Sequence, residues 1–240
     1  MSDGTNEFDR HADNYEKTLD QSLRISGYSS AYFTERKIRE MRSFIRRHEI
    51  SDLKLRILDF GCGIGNSEPY IASYFPGSEI FGIDVSSGSI AQARERNSGL
   101  PGLHFSEFDG VNIPFEGGFD VILMAGVLHH VRPEMRIQVL KSLHDALDAA
   151  GTLFIFEHNP WNPVTRKIVR DCPFDENAEL VSPSEAKDLL RKSGFARTSL
   201  SFIHFFPAFL SFLAPLESLL RRLPAGAQYF FAAGKQEAAA

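Results

Sequence analysis

From Arg56 to Ala233 the chain alternates short apolar runs with segments of helical period. LRILDF (Leu55–Phe60), Glu79–Ile83, Leu103–Phe108, FDVILM (Phe119–Met124) and Thr152–Phe156 read as five strands. Helices are predicted over Ser67–Tyr74, stopped by Pro76-Gly77, and over Ser86–Glu95. A third covers Pro133–Ala149, with Ile137, Leu140, Leu143 and Leu147 on one face, and ends at Ala150-Gly151. The fourth strand is too continuously apolar to be half-exposed. A strand that is buried on both faces and follows a helix belongs to a parallel sheet covered on both sides. SPSEAKDLLRKSGF after Val181 predicts a capped helix that ends at Gly194. Two more strands, Ala196–Phe206 and Gln228–Ala233, flank a Pro-bounded apolar helix over Ala208–Arg222. Upstream, Ile38, Met41 and Ile45 recur at helical spacing within Ser30–His48. The first fifty residues thus read as a helical unit, residues 1–50, set apart from an α/β domain over residues 51–240.

Composition bounds the picture. The 240 residues are 43% hydrophobic and 24% charged, which excludes a largely disordered or fibrous chain. The net charge is −5, which argues against a general nucleic-acid binder. Charge is uneven: Arg36–Arg47 holds six basic residues against Glu40, while Ile57–Pro160 holds five Lys/Arg against thirteen Asp/Glu. With only Cys62 and Cys172, a disulfide scaffold and a four-Cys zinc site are both excluded. His129 and His130 are adjacent and lack a second ligand pair, so no metal site is expected. The polar N-terminus lacks the apolar core of a signal peptide, and a cytoplasmic protein is expected. Phe202–Leu220 is the most apolar stretch, but His204, Pro207, Pro215 and Glu217 interrupt it. Its aromatic and leucine side chains are expected to pack mainly into the core. Its terminal Arg221-Arg222 keeps a weak membrane-surface contact in view.

The chemistry concentrates in ILDFGCGIGNSEPYIA, where a strand runs into a turn with Gly61, Gly63 and Gly65 and then into a helix. Glycines at such a turn let the backbone approach a ligand closely. Asp59 precedes them, Asp84 ends the next strand, and Asp109-Gly110 ends the third. An acid at the second strand end typically holds ribose hydroxyls. A dinucleotide would want a sixth-position glycine, where Asn66 stands, and would want no acid beside its pyrophosphate. The acidic surroundings instead suit a ligand with a cationic sulfur and an α-ammonium group. No phosphate-binding loop of the G-x-x-x-x-G-K-[ST] type is present.

Together, LDFGCGIG, FGIDVS, FDG and FDVILMAGVLHHV resemble the class I S-adenosylmethionine-dependent methyltransferases over residues 55–160, and FDRHADNYEK is similar to an opening found in many small-molecule members. The resemblance implies a doubly wound, Rossmann-like, seven-stranded and mostly parallel sheet, its last strand antiparallel, with an N-terminal helical lid. It implies S-adenosylmethionine as cofactor. Gly61, Cys62, Gly63 and Gly65 would surround its methionine part beside Asp59. Asp84 would bind the ribose, Val85 and Asp109-Gly110 the adenine, and Met124 and Ala125 would contact it from below. Tyr15 would cover it. Cys62 reads equally as a small side chain that fits the turn.

For the acceptor, His130 follows strand four, and Glu157 and His158 follow strand five in EHNPWNP. Open α/β sheets bind ligands at that edge. An oxygen nucleophile needs a base with a pKa near neutrality, and His is the first candidate. Pro160 and Pro163 would stiffen this loop into a wall. Equally, these residues could be the ordinary start of a helix and a polar loop. The leading expectation is O-methylation of a small or lipid-linked metabolite, such as a sugar. The alternatives are N- or C-methylation in an amino-sugar or quinone pathway, and a cofactor-binding subunit without catalysis. The sequence after strand four lacks the Pro-Pro motif of base- and amide-methylating enzymes, which argues against nucleic-acid targets.

Overall fold

A computed structural model describes residues 20–48, 54–173 and 178–235. Seven strands form one sheet in the order β3-β2-β1-β4-β5-β7-β6. They are β1 (Arg56–Phe60), β2 (Glu79–Asp84), β3 (Leu103–Glu107), β4 (Phe119–Ala125), β5 (Leu147–His158), β6 (Arg197–Ile203) and β7 (Gln228–Gly234). β1 pairs in parallel with β2 and β4, β2 with β3, and β4 with β5. β7 runs antiparallel to both β5 and β6. The strand order reverses between β1 and β4, and crevices at such a point bind ligands.

Strand alternation sorts the core onto two faces. Ile122 and Met124 of β4, with Leu153 and Ile155 of β5, join Leu58 and Phe60 under helices α4 (Arg136–Ala146) and α6 (Pro183–Lys192). Val121, Leu123, Phe154 and Phe156 point the other way, toward α1 (Ser30–Arg47) and α2 (Glu68–Tyr74). Helix α3 (Ser87–Arg96) lies beside β2 and β3. The capped helix predicted after Val181 is α6: Pro183 sits in its first turn, and Ser182 accepts from the Glu185 N–H at 3.2 Å.

Helix α1 does not stand off as a separate cover. Ile38, Met41 and Ile45 are fully buried in the same cluster as Ile57 and Phe154. The predicted opening helix around Tyr15 lies outside the described residues.

Three expectations are corrected. The helix predicted to run to Ala149 ends at Ala146, and β5 begins at Leu147 with an irregular register against β4. There Asp148 accepts from the Ala150 N–H at 3.0 Å, a local bond that competes with helix. The loop stiffened by Pro160 and Pro163 opens a helix instead, α5 (Pro163–Arg170). Asn162 caps it by accepting from the N–H groups of Val164 and Thr165 at 3.0 Å each. Finally, Ala208–Arg222 is not one buried helix. Ala208–Leu216 is a 3₁₀ segment kinked at Leu210 with no buried residue, followed by the short α7 (Glu217–Leu220). Phe209, Phe212 and Leu219 face solvent. Pro215 interrupts the helical ladder, and both sheet faces are already covered.

Candidate active site

At the C-terminal ends of β1, β2, β4 and β5 lies a cavity of about 460 Å³, within the ordinary range for small-molecule sites. Gly61, Cys62, Gly63, Asp84, Val85, Asp109, Gly110, Ala125, His130, Glu157 and His158 all line it. Sequence-predicted residues from five separate segments thus meet in one place.

The glycine turn has a local cause. Gly61 and Cys62 both donate to the Ile83 carbonyl, at 2.8 and 3.0 Å, which ties the turn to the end of β2. Gly61 has φ +76°, and a Cβ there would lie 2.5 Å from Val127. Gly63 differs: with φ +55°, a Cβ would meet nothing within 4 Å among the described residues. Its backbone therefore faces open cavity, where a ligand can approach. Gly65 does not line the cavity; it packs on Asn97 and Ala93. Asp84 is oriented by its own neighbours, accepting from the Gly63 and Ser86 N–H groups at 2.9 Å each. The Asp109 carboxylate caps its own turn, accepting from Val111 and Asn112 backbone N–H groups and the Asn112 amide. These bonds hold its pKa below the usual carboxylate value.

Two more predicted residues, besides Gly65, fall elsewhere. Met124 is fully buried on the opposite sheet face, while its neighbours Leu123 and Ala125 line the cavity. Period-two alternation sends adjacent strand residues to opposite sides. Asp59 lies buried outside the cavity lining, hydrogen-bonded to Ser67. Burial raises its pKa to about 7, against the hydrogen bond from Ser67 and the charge of Lys37; Asp84 pushes it up further. Glu68, fully buried nearby, is also raised, by burial and by Asp59.

A raised acid holds its proton in the folded state where the unfolded chain has already lost it. Stability should therefore fall as pH rises from about 3.8 to about 7 and stay low above that. We expect Asp59→Asn to be more stable than the parent at pH 8, by a few kcal/mol at most. That advantage should shrink towards pH 4, as urea denaturation at several pH values will measure; an advantage that grows on acidification would refute the assignment.

On the β4–β5 side, Glu157 is fully enclosed. Its carboxylate accepts from the Leu128 N–H at 2.9 Å and bonds His129 Nδ1 at 2.5 Å. Burial would raise its pKa, but the charges of His129 and His158 and the bonds from His129 and Leu128 outweigh that and hold it low. Glu157 is thus an anchor for the turn Leu128–His130. The rings of His129 and His130 lie 4.2 Å apart, and His158 lies 5.3 Å from His129. Among the described residues, no group of three or more His, Cys, Asp or Glu is placed to hold a metal ion.

Sequence reasoning passed over His129 as a partner of Glu157, and it missed Lys37. Lys37 lines the cavity from α1. Burial lowers its pKa, against the charges of Glu157 and Asp59. A signal was available: Phe33, Lys37 and Met41 are spaced four apart, so a lysine sits in the apolar stripe of α1. Gln228, at the start of β7 beside His158, also lines the cavity, and its Oε1 is buried without a partner among the described residues.

Residues 58–153 match the family described as a methyltransferase domain. An uncharacterized protein of Synechococcus sp. is 42% identical over 107 residues, covering 42% of this chain and 25% of its own length. A trans-aconitate 2-methyltransferase of Rhodopseudomonas palustris is 27% identical over 164 residues, covering 68% of this chain and 62% of the relative. The chain thus spans less than two thirds of the curated relatives it matches. A solved S-adenosylmethionine-dependent methyltransferase from Thermotoga maritima superposes with TM-score 0.65 at 18% identity, covering 95% of this chain and 98% of that one, a likeness of fold. The seven-stranded sheet, the glycine turn and the matched domain define a methyltransferase fold with a ligand cavity at its strand ends. The match over residues 58–153 and the likeness of fold agree with the resemblance to the class I S-adenosylmethionine-dependent methyltransferases.

Proposed function

We propose that the protein transfers a methyl group from S-adenosylmethionine to an oxygen of a small-molecule acceptor. One observation carries the reading: a single cavity joins the Gly63–Asp84 corner to His130 and His158 across the strand-order reversal. The open space at Gly63 and the half-buried Asp84 fit a nucleoside with a cationic methionine tail. The Asp84 carboxylate beside the turn favours that positive charge over a pyrophosphate.

When bound, the cofactor supplies an activated methyl group. Asp84 would hold its ribose, Val85 and Gly110 would flank its base, and Gly61–Gly63 would receive its amino-acid end. The chain's own task is to orient the acceptor, exclude water and take a proton. His130 and His158 are placed for the last step at the cavity wall, on a turn and strand end fixed by the Glu157–His129 pair. The relatives named for trans-aconitate support a small acceptor.

Calorimetry should give binding of S-adenosylhomocysteine and none of NAD. Asp84→Ala removes an acceptor of charge-assisted bonds and also unties Gly63 and Ser86. At roughly 1.5–3 kcal/mol per bond, affinity should fall at least about tenfold. Labelled transfer to trans-aconitate and to a metabolite extract then tests the reaction. Tight NAD binding, or unchanged affinity in Asp84→Ala, would sink the proposal.

A further inference from the structure

β6 and β7 are antiparallel neighbours, and Ile203 pairs directly with Gln228. Two residues suffice to close such a hairpin. The chain instead makes an excursion over residues 204–227, and it carries its apolar side chains outward: Phe209, Phe212 and Leu219 are 78%, 72% and 79% exposed. Beside it, Asn162 and Thr165 donate to the carbonyls of Ala225 and Ala227, which brings in the exposed Trp161 and Val164. Exposed apolar side chains gathered on one excursion in this way mark an interaction site.

The excursion is fixed in place. Glu217 is buried, accepting from Arg36 Nη2 at 2.8 Å and from the Phe205 N–H at 2.9 Å. Arg221 reaches Glu40 at 2.6 Å, and Arg36 bonds Glu40 at 2.9 Å. Two arginines and two glutamates thus clamp the segment to α1 and leave its apolar side outward.

Charge identifies the occupant. The protein is acidic overall, yet Glu217 is the sole acid from Phe202 to Lys235, and it is consumed by the clamp. The rim carries exposed Arg222, and from Trp161 to Arg170 there are three basic residues and no acid. Asp171 pairs with Lys167 and Arg170, Arg166 is exposed, and Arg24 adds further exposed positive charge. An apolar surface rimmed by cations is complementary to an anionic lipid headgroup layer. No helix among the described residues is long and apolar enough to cross a membrane, so the contact is peripheral. We propose that residues 204–227, with Trp161 and Val164, form a docking face for anionic membrane surfaces. Gln228 of the cavity wall adjoins this face, because it directly follows the excursion.

Trp161 is the only tryptophan and lies within the face at 52% exposure, so the unmodified chain reports its own docking. Phosphatidylcholine vesicles containing phosphatidylserine should shift Trp161 emission to the blue and co-sediment the protein; pure phosphatidylcholine should do neither. Raised salt should weaken the binding. Phe209→Ser with Phe212→Ser should reduce it at least about tenfold, and Arg166→Glu with Arg222→Glu should abolish the preference for anionic lipid. S-adenosylhomocysteine affinity, unchanged in these variants, shows that they are folded and separates this test from that of the methyl-transfer reading. The proposal is overturned if anionic vesicles bind no better than neutral ones. A concentration-dependent dimer in solution that the Phe209 and Phe212 changes dissociate would also overturn it, by assigning the face to a second copy of the chain.

Discussion

His130→Ala and His158→Ala should leave S-adenosylmethionine affinity unchanged, while at least one of them lowers methyl-transfer turnover by about 10²–10⁴. Both rings line the cavity on the β4–β5 side, away from the Gly63–Asp84 corner across the sheet. A hydroxyl or carboxylic acid that attacks a methyl carbon must lose a proton, and a histidine is suited to take it near neutrality. The split between binding and turnover is the diagnostic feature. A residue that merely shapes the wall would change both, or KM alone. Single-turnover rates across pH should show a rise with pH in the parent that is lost in the active-base variant. Full turnover in both variants would leave orientation as the only catalytic device and remove the support for an oxygen nucleophile.

The parts of this site legible in the sequence are those whose chemistry is local. A glycine turn between strand and helix, and acids at successive strand ends, are fixed by chain order, and the structure brings Gly61, Gly63, Asp84 and Asp109 to one cavity. What could not be read depends on packing between distant segments. The placement of Met124 turns on strand phase, which a continuous apolar run such as FDVILM does not reveal. The apolar 208–222 stretch has the composition of core, but its orientation is set by a four-residue ion cluster whose members lie far apart in the chain. Likewise the pairing of Glu157 with His129 joins the end of β5 to the turn after β4. The charge of Lys37 is read correctly as part of a basic helix only until the apolar stripe around it is seen to face the sheet.

Glu157→Ala should destabilise the protein by about 3–5 kcal/mol at neutral pH, the usual cost of removing one partner from a buried charged pair. The substitution takes the acceptor away from the Leu128 N–H and His129 Nδ1, both of them buried. Glu157→Gln should cost less, because its amide oxygen can still serve one of the two donors. The pH dependence follows from the direction of the shift. The folded pKa of Glu157 lies below the ordinary 4.5, so its contribution is complete above about 4.5 and is lost as pH falls through the folded value. Urea denaturation should therefore show the gap between parent and Glu157→Ala wide at pH 7 and narrowing below pH 4.5. Because the pair fixes the turn that carries His130 and the strand end that carries His158, Glu157→Gln should also lower turnover more than it lowers cofactor affinity. A stability gap that stays constant down to the acid limit would show that the carboxylate's charge contributes nothing there, and the positioning role assigned to it would fall.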